Sequence, residues 1–192
     1  AERRARDPRR ATVRVDLAFM PFCTSERRRR PRGDKRAAEL GALVHQAVEA
    51  ACLLDLMPRS ELVISVQVLQ ADGGVLAACL NAAMLALADA AVPMAGLVAA
   101  CGAGAIDSAP VLDLNHMEES QIGGGVTCAV RVHDASVVCV HSEASQPLDV
   151  FEDLVKSASA GCETVAEFMR NELHAQTLQL ARRMGLASEG DE

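Results

Sequence analysis

The stretch Leu69 to Ala83, LQADGGVLAACLNAA, holds the strongest hint of chemistry in this chain. An apolar, β-branched run that leaves through Gly73-Gly74 and enters a helix exposes unpaired backbone N–H groups at the turn. The helix dipole adds positive potential there, so such a turn seats phosphate. The next two residues, Val75 and Leu76, offer neither a hydroxyl nor a charge. A second candidate is the basic run CTSERRRRPRGDKR, Cys23 to Arg36, whose cations can each neutralise one phosphate of a polyanion without sequence preference. The seven Cys form no CxxC, and the five His show neither HxH nor HExxH spacing. The thiols therefore read as reduced and mostly buried, and no metal site and no cofactor are expected.

The elements that must position these residues follow from periodicity. Residues 11 to 19, ATVRVDLAF, alternate as a half-buried strand, and Asp34 caps a helix whose apolar positions from Leu40 to Leu54 keep helical spacing until Met57-Pro58. A strand is expected over residues 62 to 69. A helix from Gly74 to about Ala90, apolar on nearly every side, is expected to be buried all round. Residues 96 to 106 and 110 to 114 read as strands, the first so rich in Gly and Ala that something must pack closely on its backbone. Gly123 to Gly125 precede a hairpin of VTCAVRV and VVCVHSE, and a last amphipathic helix starts near Pro147 and carries Leu148, Leu154, Cys162 and Met169 on one face. The expected organisation is a charged segment over residues 1–10, one α+β domain over 11–184 with helices against a mixed sheet, and a frayed tail over 185–192.

The 192 residues are half apolar but only 2% aromatic, which excludes a base-stacking RNA platform. No apolar run reaches the roughly twenty unbroken residues of a membrane span, and AERRARDPRR lacks the apolar part of a signal peptide, so a soluble cytosolic or nuclear protein is expected. The net charge of −7 hides an asymmetry. Residues 1–36 hold thirteen Lys/Arg and five Asp/Glu, net +8, against six and twenty-one, net −15, in the rest. A basic arm on an acidic body favours a polyanionic partner and a neighbour for the body.

CTSERRRRPRGDKRAAEL, PRSELVISVQVLQADGG, LALADAAVPM and DSAPVLDLNHMEES, in this order, resemble the RNase PH family of phosphorolytic exoribonucleases. Within that family the segments are most similar to a ring subunit of the eukaryotic RNA exosome, the one related to the catalytic subunit of the archaeal exosome. The resemblance implies a two-layer α+β fold like the second domain of ribosomal protein S5, with the family's first strands missing before Ala1. It implies partners as well: other RNase PH-like subunits in a hexameric ring, S1/KH cap subunits, a hydrolytic nuclease and single-stranded RNA, in the nucleus, nucleolus and cytoplasm, with no membrane.

In active members, the resemblance implies, the turn is followed by a small hydroxyl residue and an Arg that grip phosphate, and two Asp six residues apart act as general acid and metal-linked carboxylates. Val75 and Leu76 stand at the first pair of places, Asp113 and Glu119 at the second. Loss of one preorganised donor costs about 10²–10³ in rate, and a carboxylate misplaced by about 1 Å costs about 10²-fold. The expectation is therefore a degenerate site with no catalytic side chain, in a subunit that is not itself an enzyme. Its work would be assembly and RNA binding in 3′-5′ processing, with an active phosphate-dependent exoribonuclease as the alternative. Arg36 falls where the family places an Arg near the scissile phosphate, and Lys35, Arg32, Arg29 and Arg28 extend the RNA path.

Overall fold

The computed structural model of the chain describes residues 9–27, 33–106, 109–122 and 124–185. Strand β1 (Thr12–Phe19) leads into a loop and then helix α1 (Lys35–Ala51), whose first turn is capped by the Asp34 carboxylate accepting from the N–H groups of Arg36 and Ala37. The chain returns through a single 3-10 turn at Leu54–Leu56 to β2 (Glu61–Val68), which pairs in parallel with β1 from Thr12↔Glu61 to Phe19↔Val68. Parallel neighbours need a crossover, and α1 supplies it. Helix α2 (Val75–Asp89) then carries the chain to β3 (Val98–Ile106) and β4 (Ala109–Leu112). A short helix α3 (His116–Ile122), strands β5 (Val126–Arg131) and β6 (Ser136–Ser142) and the long helix α4 (Leu148–Arg183) complete the order.

The fold is α+β. The parallel pairing lies in a two-stranded sheet and the antiparallel pairing in a second sheet of order β4-β3-β5-β6. Both sheets feed one core, in which the largest fully buried side chains include Val44 and Val48 of α1, Leu80 and Met84 of α2, Val98 of β3, Val126 of β5 and Leu154 of α4. With so few aromatics the core relies on close approach of backbones. Gly161 of α4 lies where a Cβ would meet Cys101 Sγ at 2.7 Å, and Gly125 where one would meet the Ala103 carbonyl at 2.8 Å. This is the close packing that the Gly- and Ala-rich β3 anticipates.

One side chain completes an edge that no strand covers. β4 pairs with β3 only from Ala103 to Ile106, leaving the upstream half of that edge open. Asn81 of α2 fills it: its Nδ2 donates to the Ala100 carbonyl at 2.8 Å, and its Oδ1 accepts from the Ala100 N–H at 2.7 Å. A polar residue inside an apolar helix is thus a two-bond substitute for a neighbouring strand, and it fixes where α2 lies on the sheet.

Two elements depart from the sequence-based expectation. Helix α2 is not buried all round; Ala78, Ala82 and Ala86 form an exposed stripe, which methyl groups tolerate at little cost. Helix α3 was not expected, and α4 continues to Arg183, its buried face ending at Met169. Among the described residues no helix is long and apolar enough to cross a membrane.

Two tests follow from this packing. Asn81→Ala leaves both buried polar groups of Ala100 unpaired, at about 1–3 kcal/mol each, so urea denaturation should register a loss of about 2–5 kcal/mol; a change below about 0.5 kcal/mol would show that the edge is satisfied otherwise. Burial pushes the Cys162 thiol up to about 12, with further raising by Cys128 and Cys101 beside it. The thiolate is the reactive form, so at pH 8 alkylation followed by peptide mapping should label half-buried Cys23 while Cys162 stays unmodified until the protein unfolds.

Candidate functional site

The site forms where the β2–α2 turn meets the loop that precedes α3. Gly73 has φ +100° and Gly74 φ +56°, both in the left-handed region that disfavours side chains. Space demands glycine at position 73 as well: a Cβ there would run into the Leu114 carbonyl and lie 2.9 Å from Asn115 Cα. The two segments are also bonded, because the His116 N–H donates to the Asp72 carbonyl at 2.9 Å. The turn is tied on its other side too, where the Ala71 N–H donates to the Cys23 carbonyl at 2.8 Å at the start of the basic loop.

The two carboxylates singled out in the sequence come to this turn. Glu119 is half-buried, and its Oε1 accepts from the Gly74 N–H at 2.8 Å. Asp113 adopts φ +56°, an uncommon conformation for a residue with a side chain, and its Oδ1 lies 3.3 Å from where a Gly74 Cβ would be. Helix α3 presents Glu119 through a capping box: the Asn115 Oδ1 accepts from the Glu118 N–H at 3.0 Å, and Glu118 Oε2 accepts from the Asn115 N–H at 2.9 Å. The N-x-x-E signature stands in the sequence as NHME, where reading residues 110–120 only for carboxylates passes over it.

Arg36 completes the group. It lines, together with Gly74, Val75, Leu76, Glu119 and Glu143, a cavity of about 30 Å³. Its guanidinium lies 5.8 Å from the centroid of the Phe19 ring, a contact that holds the head group at the end of β1. Lys35 and Arg36 occupy the first turn of α1, where cations oppose the helix dipole, and the acidic residue at that end is the capping Asp34. Neither takes part in an ion pair among the described residues. The lining of one small cavity thus combines the Arg36 cation and the N-terminus of α2 with the carboxylates of Glu119 and Glu143.

Val75 is half-buried and Leu76 is 5% exposed, so Leu76 belongs to the core as much as to the cavity wall. Phe19, Asn115, Glu118 and Glu143 are the site residues that sequence reasoning passed over. Arg28, Arg29 and Arg32 lie outside the described residues. His116 sits exposed at the start of α3 and enters through its backbone alone. Among the described residues no group of three or more His, Cys, Asp or Glu side chains is placed to hold a metal ion, and the metal-linked role implied for Asp113 and Glu119 has no such cluster behind it.

Residues 1–93 match the 3′ exoribonuclease family, domain 1, of the RNase PH group. The chain is 42% identical over 173 residues to the exosome complex component RRP41 homolog of Arabidopsis thaliana, covering 90% of this chain and 71% of that protein. It is 41% identical over 152 residues to exosome complex component RRP41 of Bos taurus, covering 79% of the chain but only 62% of that protein. A Thermococcus onnurineus exosome component Rrp41 is 36% identical over 93% of the chain and 71% of its own length. Among solved structures, rice Rrp46 superposes with a TM-score of 0.77 at 22% identity, covering 90% of this chain and 77% of that one. A chain of the Archaeoglobus fulgidus exosome with RNA bound to the active site gives 0.71 at 16%, covering 83% and 71%. At those identities the two structures speak for the fold.

The comparisons overturn the expectation that this chain is no enzyme: the matching family is one of 3′ exoribonucleases, and the plant, mammalian and archaeal relatives alike are Rrp41 components. The physical reason lies in what Val75 and Leu76 do not control. The turn's donor is a backbone N–H, and Arg36, Asp113 and Glu119 reach the turn from other elements. Gly73→Ala tests how far the site depends on this approach. Backbone strain alone costs about 1–3 kcal/mol, and the collision with Leu114 adds to it. The midpoint of thermal unfolding should fall by several degrees; an unchanged midpoint would mean that the turn and the loop are not interlocked.

Proposed function

From the premise that this chain belongs to the RNase PH family of 3′ exoribonucleases, we propose that it is a ring subunit of an RNA exosome that shortens RNA from the 3′ end by phosphorolysis. The observation that carries the reading is that Arg36 and the Gly74 turn line one cavity, with Glu119 and Asp113 beside the same turn. Arg36 and the turn come from separate elements, and a cation and a helix N-terminus both suit an anionic ligand.

The reaction needs an anionic nucleophile held against an anionic chain. Inorganic phosphate attacks the phosphorus of the last phosphodiester, the P–O bond to the preceding nucleotide's 3′ oxygen breaks, and a nucleoside diphosphate leaves with the transferred phosphoryl group. Arg36 neutralises the non-bridging oxygens of the scissile phosphate. The Gly74 N–H at the start of α2 is the donor for the attacking phosphate. Asp113, exposed at the mouth of the turn, is placed to protonate the leaving 3′ oxygen. Lys35 continues the cationic path along the RNA backbone, contributing affinity without sequence preference.

Assembly completes the reading. Residues 37–192 carry net −15 and residues 1–36 net +8, and such opposite charges suit contacts between related subunits of a ring. Cap proteins and a hydrolytic nuclease in a nuclear and cytoplasmic complex are the remaining partners of this proposal. The chain spans 62% of the bovine relative and 71% of the plant one, so the whole protein's activity is part of the proposal.

The test is phosphate-dependent release of nucleoside diphosphates from a single-stranded RNA by the purified ring. Release that requires added phosphate, and that falls about 10²-fold on Arg36→Glu, is the expected result. Nucleoside monophosphates formed without phosphate, or activity unchanged by that substitution, would overturn it.

A further inference from the structure

The Gly74 amide is not open in this structure. Glu119 Oε1 sits on it at 2.8 Å, in the place a phosphate oxygen would take. Helix α2 carries no acidic residue of its own in its first turn, so the anion at its N-terminus is supplied from α3. The delivery is rigid: the reciprocal Asn115–Glu118 bonds cap α3, and the Glu119 N–H donates to the Asn115 carbonyl at 2.9 Å. The cavity beside the pair is small, and Arg36, Glu119 and Glu143 are among the residues that line it.

We infer that Glu119 is an internal anion that holds the Gly74 amide against phosphate, and that this one side chain sets the affinity for the inorganic co-substrate. The inference rests on the phosphorolytic reading and adds what limits it. Phosphate must exchange places with the carboxylate: Glu119 releases the Gly74 N–H, a phosphate oxygen accepts it, and Arg36 in the same cavity wall faces the incoming charge. No bond is made or broken covalently in this exchange.

Side-chain length is the determinant. The carboxylate reaches the amide because glutamate has one methylene more than aspartate. From the same helix an aspartate, one methylene shorter, falls short of the 2.8 Å contact that Glu119 makes. A charged hydrogen bond at a helix N-terminus is among the stronger ones, so its removal should be visible in phosphate affinity before anything else.

Glu119→Asp and Glu119→Gln in the native ring separate the possibilities. Inorganic phosphate is titrated calorimetrically into each protein, and KM for phosphate is measured in nucleoside diphosphate release. Glu119→Asp should bind phosphate about tenfold more tightly or better and lower KM for phosphate. Glu119→Gln, which keeps the length but removes the charge, should tighten phosphate binding even where turnover suffers. Equal phosphate affinity in all three proteins, with phosphorolysis intact, would overturn the inference and leave the function standing. No phosphate binding in any of them, with no diphosphate released, would overturn both.

Discussion

The site depends on one close approach, that of the Leu114–Asn115 backbone to Gly73. Only a residue without a Cβ admits that contact, and once it is made the rest of the site is determined to within a side-chain rotamer. The Asp72 carbonyl meets the His116 N–H, α3 starts in a fixed direction, and Glu119 falls on the Gly74 amide. Asp113 must then turn through the left-handed region to leave β4, which swings its carboxylate back toward the turn. A strand end, a helix start and a short helix become a single unit through van der Waals exclusion more than through any one hydrogen bond.

That unit would hold nothing without the second constraint, which is electrostatic. The first turn of α1 carries Lys35 and Arg36 where the helix dipole is already positive, a placement that costs stability. Phe19 supports the Arg36 head group through its ring face, and Asp34 caps the helix through the backbone N–H groups of Arg36 and Ala37. Neither Lys35 nor Arg36 forms an ion pair among the described residues, and Glu119 supplies the negative charge at the Gly74 amide.

Much of this was legible in the chain. The alternation of Val13, Val15 and Leu17, the capping Asp34 and the Gly pair place β1, α1 and the turn with little ambiguity, and the order of the four quoted segments points to the family. Three things were not legible, each for a physical reason. Asn81 reads as a blemish in an apolar helix because its partner, the Ala100 backbone, lies 19 residues away. Helix α3 is seven residues long and polar, too short for periodicity to register, although its capping box was in plain view. The meeting of Glu119 with the Gly74 amide is the third, because it brings together groups 45 residues apart.

The central claim is that the Gly73–Gly74 turn is a phosphate seat with Glu119 as its resident anion. It is tested most directly by a structure of the assembled ring with inorganic phosphate and a short RNA. The account predicts a phosphate oxygen within hydrogen-bonding distance of the Gly74 N–H, the Arg36 guanidinium on the neighbouring RNA phosphate, and Glu119 swung off the amide. A phosphate bound elsewhere, with Glu119 still seated on Gly74, would contradict it.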